Sequence, residues 1–158
     1  MMLICGFDCK QFRDLISRVI SRLGVYSPEA VELLMGTCAT ESDFGRYLRQ
    51  LFGGPGRGVF SMEPATDIDI WENYLQYRPE RAKLLTEISG VTGPSAWALE
   101  TNLAYQIGQA RYHYLRVSDP LPAADDVMGL AQYWKRYYNT AAGRGAPEDF
   151  YRKYQLYC

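Results

Sequence analysis

A single histidine, His113, and four scattered cysteines, Cys5, Cys9, Cys38 and Cys158, leave this 158-residue chain few donors for a metal ion. The Cys5/Cys9 spacing has no second pair to complete a zinc site, and the four cysteines are too sparse and irregular for a disulfide framework. No metal or cofactor is therefore expected. Cys38 reads as a core residue and the others as free thiols, with a disulfide from Cys158 to Cys5 or Cys9 left open. No apolar run reaches the ~18 residues of a membrane-spanning helix. Met1 to Asp8 lack the basic start and the apolar stretch of ~7–15 residues that mark a secretory signal. The expectation is synthesis in the cytoplasm without signal or membrane span, so that another agent must carry the protein to any target outside. An excess of one charge is missing too: 17 Lys and Arg stand among 18 Asp and Glu, for a net charge of −1. Such a balance gives no basic field to recruit nucleic acid.

The composition that is present belongs to a folded domain. Hydrophobic residues make up 47% and charged residues 22%, close to globular averages. A chain of this length suits one domain, residues 1–158, burying roughly 68–70% of its unfolded surface. Aromatic residues reach 14%, including 13 tyrosines. A tyrosine offers a flat apolar face and a hydroxyl, which suits sugar rings, protein interfaces and cores alike.

Apolar periodicity predicts a mainly helical fold. Phe12, Leu15, Ile16, Val19, Ile20 and Leu23 form the stripe of an amphipathic helix that stops at Gly24. Ser27-Pro28-Glu29 supplies a cap, a proline at the first helical position and an acid in the first turn, opening a second helix expected to run to about Gly45. Residues 53–58, Gly-Gly-Pro-Gly-Arg-Gly, form a loop that lacks side chains to pack and is expected to be a mobile lip. A short strand or hairpin is expected near 58–63. Thr66, followed by Asp67 and Asp69, reads as the cap of a helix carrying Ile70, Trp71 and Tyr74. Pro79 and Pro94 open helices expected to end near Gly90 and Val117. Pro122 opens one with Val127, Leu130, Ala131, Trp134 and Tyr137 or Tyr138 facing inward, broken at 143–145, and Pro147 opens the last.

Glu41 departs from the pattern. It lies seven positions after Leu34 and three after Cys38, on the apolar face of its helix. A carboxyl placed there is desolvated, which raises its pKa and keeps a transferable proton near neutral pH. The alternative is a helix-terminal glutamate that swings to water or pairs with Arg46 or Arg49. Trp71, Trp97 and Trp134 read as core by their spacing, although one of them lining a sugar cleft stays open. His113, between two tyrosines, reads as a packing or surface residue.

After Glu41-Ser42 and the Gly-rich stretch comes Gly58-Val59-Phe60-Ser61-Met62-Glu63-Pro64-Ala65-Thr66. This arrangement resembles the soluble lytic transglycosylase and goose-type lysozyme group, in which a Glu-Ser pair at a helix end precedes a Gly-Leu-Met-Gln-x-Met-Pro-x-Thr-like segment. Gly58, Pro64, Ala65 and Thr66 match, while Ser61 replaces the usual glutamine and Glu63 an apolar residue. A later Ala-Tyr-Asn-Ala-Gly motif is echoed at residues 130–133 and at 138–143, the latter favoured because a glycine follows Tyr138-Asn139.

The resemblance implies a lysozyme-like fold and cleavage of the MurNAc–GlcNAc linkage of peptidoglycan, with Glu41 as the general acid and base. It puts Ser42, Gly58, Phe60, Ser61, Glu63, Tyr138 and Asn139 at the substrate. Inverting hydrolysis would need a second carboxylate, for which Asp43, Glu63, Asp67 and Asp69 are the candidates. Attack by the substrate's own C6 hydroxyl, leaving a 1,6-anhydro sugar, needs none and is slightly favoured. The expected partners are glycan strands and, given the delivery problem, other proteins of a phage virion or tail. The competing expectation is a non-enzymatic virion or tail component that keeps the fold for assembly or glycan binding.

Overall fold

The computed structural model describes residues 5–158. Residues 1–4, part of the segment read for a signal, lie outside that range. Eight α-helices are present among the described residues: α1 (Cys9–Arg22), α2 (Pro28–Ser42), α3 (Pro64–Asn73), α4 (Pro79–Ser89), α5 (Ala96–Thr101), α6 (Leu103–Leu115), α7 (Val127–Trp134) and α8 (Pro147–Tyr157). None is long and apolar enough to cross a membrane.

Local chemistry sets most of these boundaries. The Asp8 carboxylate accepts from the Gln11 amide at 3.0 Å and caps α1, whose stripe buries Phe12, Ile16, Val19 and Ile20. Ser27 caps α2 through the Ala30 amide at 3.1 Å. Residues 33–39 of α2 are all buried, so this helix is apolar all round, the signature of a central element. Helices α1, α6, α7 and α8 pack on it. Gly36 is what admits α8, because a Cβ there would overlap the Phe150 ring. Buried side chains from all eight helices join one core.

Several expected boundaries are corrected. The second helix ends at Ser42 rather than near Gly45, because Asp43, Phe44 and Gly45 have φ of 49°, 60° and 88°, outside the helical region. Pro64 at the first helical position, not a cap at Thr66, opens α3. The helix expected from Pro94 to Val117 is two helices, broken at Asn102. That residue is extended (φ −124°, ψ 101°), accepts from the Tyr105 amide at 3.0 Å to cap α6, and donates to the Ser89 carbonyl at 2.9 Å. Pro122 lies in an irregular segment, and Asp126 caps the next helix through the Gly129 amide at 3.0 Å. After Trp134 the chain widens into a π-helical turn, Lys135–Asn139, closed by the Thr140 amide on the Lys135 carbonyl at 2.8 Å.

Near residues 58–63 the described chain forms a tight turn rather than an extended strand. The Arg57 and Met62 backbones exchange bonds of 2.9 and 3.1 Å, and the Ser61 amide reaches the Gly58 carbonyl at 3.1 Å. Arg57 also pairs with Arg49 in an isolated antiparallel bridge. With φ of +76° at Gly58 and +48° at Ser61, the turn reverses too sharply to propagate a ladder.

Candidate active site

Glu41 occupies the last turn of α2, where the central helix comes out of the core. Its side chain is half-buried, and Oε1 accepts from the Trp134 indole Nε1 at 3.0 Å. Neither arginine considered as a partner reaches it: Arg49 pairs with Glu100 at 2.5 Å and Arg46 lies over the Tyr47 ring. Burial pushes the Glu41 carboxyl up to about 7, with the indole hydrogen bond opposing the rise. A carboxyl so poised is partly protonated near neutral pH, able to give a proton and then to take one.

The helix end is held in a strained conformation. Two consecutive non-glycine residues, Asp43 and Phe44, adopt positive φ, a costly arrangement that persists only where its surroundings fix it. Asp43 is ion-paired with Lys153 of α8. Phe44 is fully buried among Phe7, Phe12 and Tyr157. Ser42, expected at the substrate, is instead 2% exposed: its hydroxyl donates to the Cys38 carbonyl at 3.0 Å and accepts from the Gly45 amide at 2.8 Å. Both of its bonding directions serve the helix end.

The π-helical turn and the 58–61 turn meet beside this carboxyl. The Tyr138 hydroxyl donates to the Phe60 carbonyl at 2.6 Å. Burial raises the Tyr138 hydroxyl well above its ordinary value, and the neighbouring Glu41 charge raises it further. Tyr114 is raised in the same way and bonds Thr37 at 2.8 Å, with its ring 5.3 Å from that of Tyr138. His113 stands edge-on to Tyr138 at 5.1 Å, and its Nδ1 meets Arg116 at 2.7 Å. Burial and the Arg116 charge push the imidazole down to about 4, so it packs as a neutral ring behind the tyrosine.

Gly58 lies where only glycine fits, since a Cβ would overlap the Leu99 carbonyl and the Gln106 side chain. The Gln106 Oε1 then accepts from the Val59 amide at 2.8 Å and pins the turn. Phe60 is a core residue, 1% exposed, that presents only its carbonyl to Tyr138. Ser61 is half-buried and Glu63 exposed. Asn139 is turned toward Lys135, whose Nζ donates to its Oδ1 at 2.7 Å and to the Gly143 carbonyl at 3.0 Å, so Lys135 ties this side chain to the segment that follows. The glycine-rich lip is tied down from within. The Gln50 side chain accepts from the Gly56 amide at 2.9 Å, and Arg57 donates to the Gly54 and Gly56 carbonyls at 3.1 and 3.0 Å.

Three of the four candidates for a second carboxylate are engaged elsewhere. Asp43 pairs with Lys153, and Asp69 with Arg116 at 2.5 Å. Asp67 is 1% exposed and accepts from Tyr105 at 2.5 Å, Gln109 at 2.7 Å and the Ser95 amide at 2.8 Å. Its role is to join α3, α5 and α6 rather than to face a substrate. Glu63, at the start of α3, makes no side-chain capping bond among the described residues.

Trp134 reads as core from its spacing in the sequence, and nothing in the sequence singles out Tyr114. Trp134 is indeed 1% exposed, yet its one polar atom is spent on Glu41. Trp97, also read as core, is 75% exposed. Comparison of the chain with protein-family models, with curated proteins and with solved structures finds no match.

Proposed function

We propose that this chain cleaves the glycan strand of peptidoglycan at the MurNAc–GlcNAc linkage, as a lytic transglycosylase or muramidase, with Glu41 as the acid and then the base. The observation that carries this reading is the half-buried Glu41 carboxyl, raised to about 7 and without a cationic partner among the described residues, beside the Tyr138 to Phe60 bond. In the reaction the Glu41 proton passes to the glycosidic oxygen as the bond to the anomeric carbon breaks. The carboxylate then takes a proton from the attacking hydroxyl. With three of four further carboxylates engaged, the C6 hydroxyl of the substrate, which needs no second base, is the favoured nucleophile.

The same reading gives the helices and the Arg49, Arg57 and Met62 pairings a lysozyme-like arrangement, with delivery by a phage virion or at lysis. A second reading, a virion or tail component that keeps the fold without activity, is favoured by one observation. Ser61 stands where the resembled group carries glutamine. Incubation with purified cell walls, followed by mass analysis of the soluble products, separates the two. Release of 1,6-anhydro or reducing-end muropeptides supports the enzyme, and none from several wall types supports the virion component.

A further inference from the structure

Cys9 opens α1 and Cys158 follows α8, 149 residues apart in sequence, and the two meet. The Cys9 thiol donates to the Cys158 carbonyl oxygen at 3.4 Å, and both residues are half-buried. The sulfurs sense each other: burial pushes the Cys158 thiol up to about 12, and the adjacent Cys9 adds to the rise. A polar clamp fixes the helix ends around them. Arg13, one turn beyond Cys9, donates to its Sγ at 3.1 Å and forks onto the Glu32 carboxylate at 2.9 and 3.0 Å. Tyr154, one turn before Cys158, donates to the same carboxylate at 2.5 Å.

We propose that Cys9 and Cys158 are a cross-linking site, forming a disulfide that fastens the end of α8 to the start of α1 when the protein meets a low-molecular-weight disulfide. A disulfide needs its Cα atoms about 4.4–6.8 Å apart. The 3.4 Å thiol-to-carbonyl contact sets the two residues against each other, and a rotation of the Cys158 side chain with a shift of the helix end would bring the sulfurs to bonding distance. One cysteine, as thiolate, attacks a sulfur of the reagent and expels a thiol. The other then attacks the mixed disulfide and expels the second. The protein loses two protons and two electrons, and the reagent gains them as two thiols. Cys38 is fully buried and takes no part, while Cys5 is exposed and stands outside the clamp.

The cross-link acts on the candidate active site through α8. That helix carries Phe150, packed on Trp134 with ring centroids 5.8 Å apart, and Lys153, paired with Asp43. Both contacts support the end of α2 that bears Glu41.

The test is to incubate the full chain with oxidised glutathione, alkylate without reduction, and map the linked peptides by mass spectrometry. The expected product links Cys9 to Cys158 and leaves Cys5 and Cys38 alkylated. Closing so long a loop should raise the unfolding midpoint by about 10 °C, reversibly with dithiothreitol. Cys9→Ser and Cys158→Ser should lose the rise and Cys5→Ser keep it. A Cys5 to Cys158 link, glutathione adducts without an internal link, or a Cys9 to Cys158 link that fails to raise the midpoint would each overturn the proposal.

Discussion

The Trp134 indole donates to the Glu41 carboxylate at 3.0 Å across 93 positions of sequence. An indole can only donate, so the bond favours the charged carboxylate while burial favours the neutral acid. The balance of the two sets where Glu41 titrates, and each can be altered separately.

Glu41→Gln keeps the side chain's size and its acceptor for Trp134 while removing the proton. Cleavage should fall by ~10²–10⁴-fold, the usual contribution of an acid-base group, with muropeptide release as the measurement. Stability should respond to pH. Because the folded value is raised to about 7 from 4.5, the native state binds the extra proton between those values. Wild-type stability is therefore greatest below about 4.5 as far as this group is concerned, and it falls as pH rises through about 7. Glu41→Gln should match the wild type near pH 4.5 and exceed it at pH 8 by about 3 kcal/mol. A variant less stable than the wild type at both pH values would point to a structural ion pair instead.

Trp134→Phe removes the donor and leaves most of the ring packed against Phe150. Without the opposing hydrogen bond, Glu41 should titrate above its present value of about 7, and the alkaline limb of any activity profile should move up with it. Carboxyl resonances followed by NMR give the direct reading. An unmoved titration would mean that the indole does not act on the carboxyl in solution.

Tyr138→Phe deletes the hydroxyl that holds the Phe60 carbonyl at 2.6 Å. The expected loss of stability is about 1 kcal/mol, the net worth of such a bond. Amide exchange at residues 58–62 should quicken while exchange in α4 stays the same. Equal rates in both proteins would show that the turn is held without this bond.

Gly58→Ala places a methyl group against the Leu99 carbonyl and Gln106 at a φ of +76°. Strain and overlap together should cost about 2–4 kcal/mol, read from the denaturation midpoint. Gly53→Ala has a similar φ of +78° but open space around it, so it should cost less. Equal losses at both sites would assign the effect to backbone strain alone.

Residues by themselves determined which segments are helical and that Glu41 is anomalous. Capping at Asp8 and Ser27, proline at the first position of α2, α3, α4 and α8, and the stripe of α1 are local effects, carried by neighbours within a few positions. Glu41 was legible because a carboxyl three positions after Cys38 falls on the apolar face of its helix. Only the tertiary structure decided what surrounds it. The break at Asn102 depends on the Ser89 carbonyl, the assignment of Ser42 and Asp67 to structural bonds depends on partners fixed by packing, and the bonds of Trp134 to Glu41 and of Tyr138 to the Phe60 carbonyl join residues far apart in sequence. These are long-range pairings between polar atoms, and no periodicity in the chain encodes where the second partner will be.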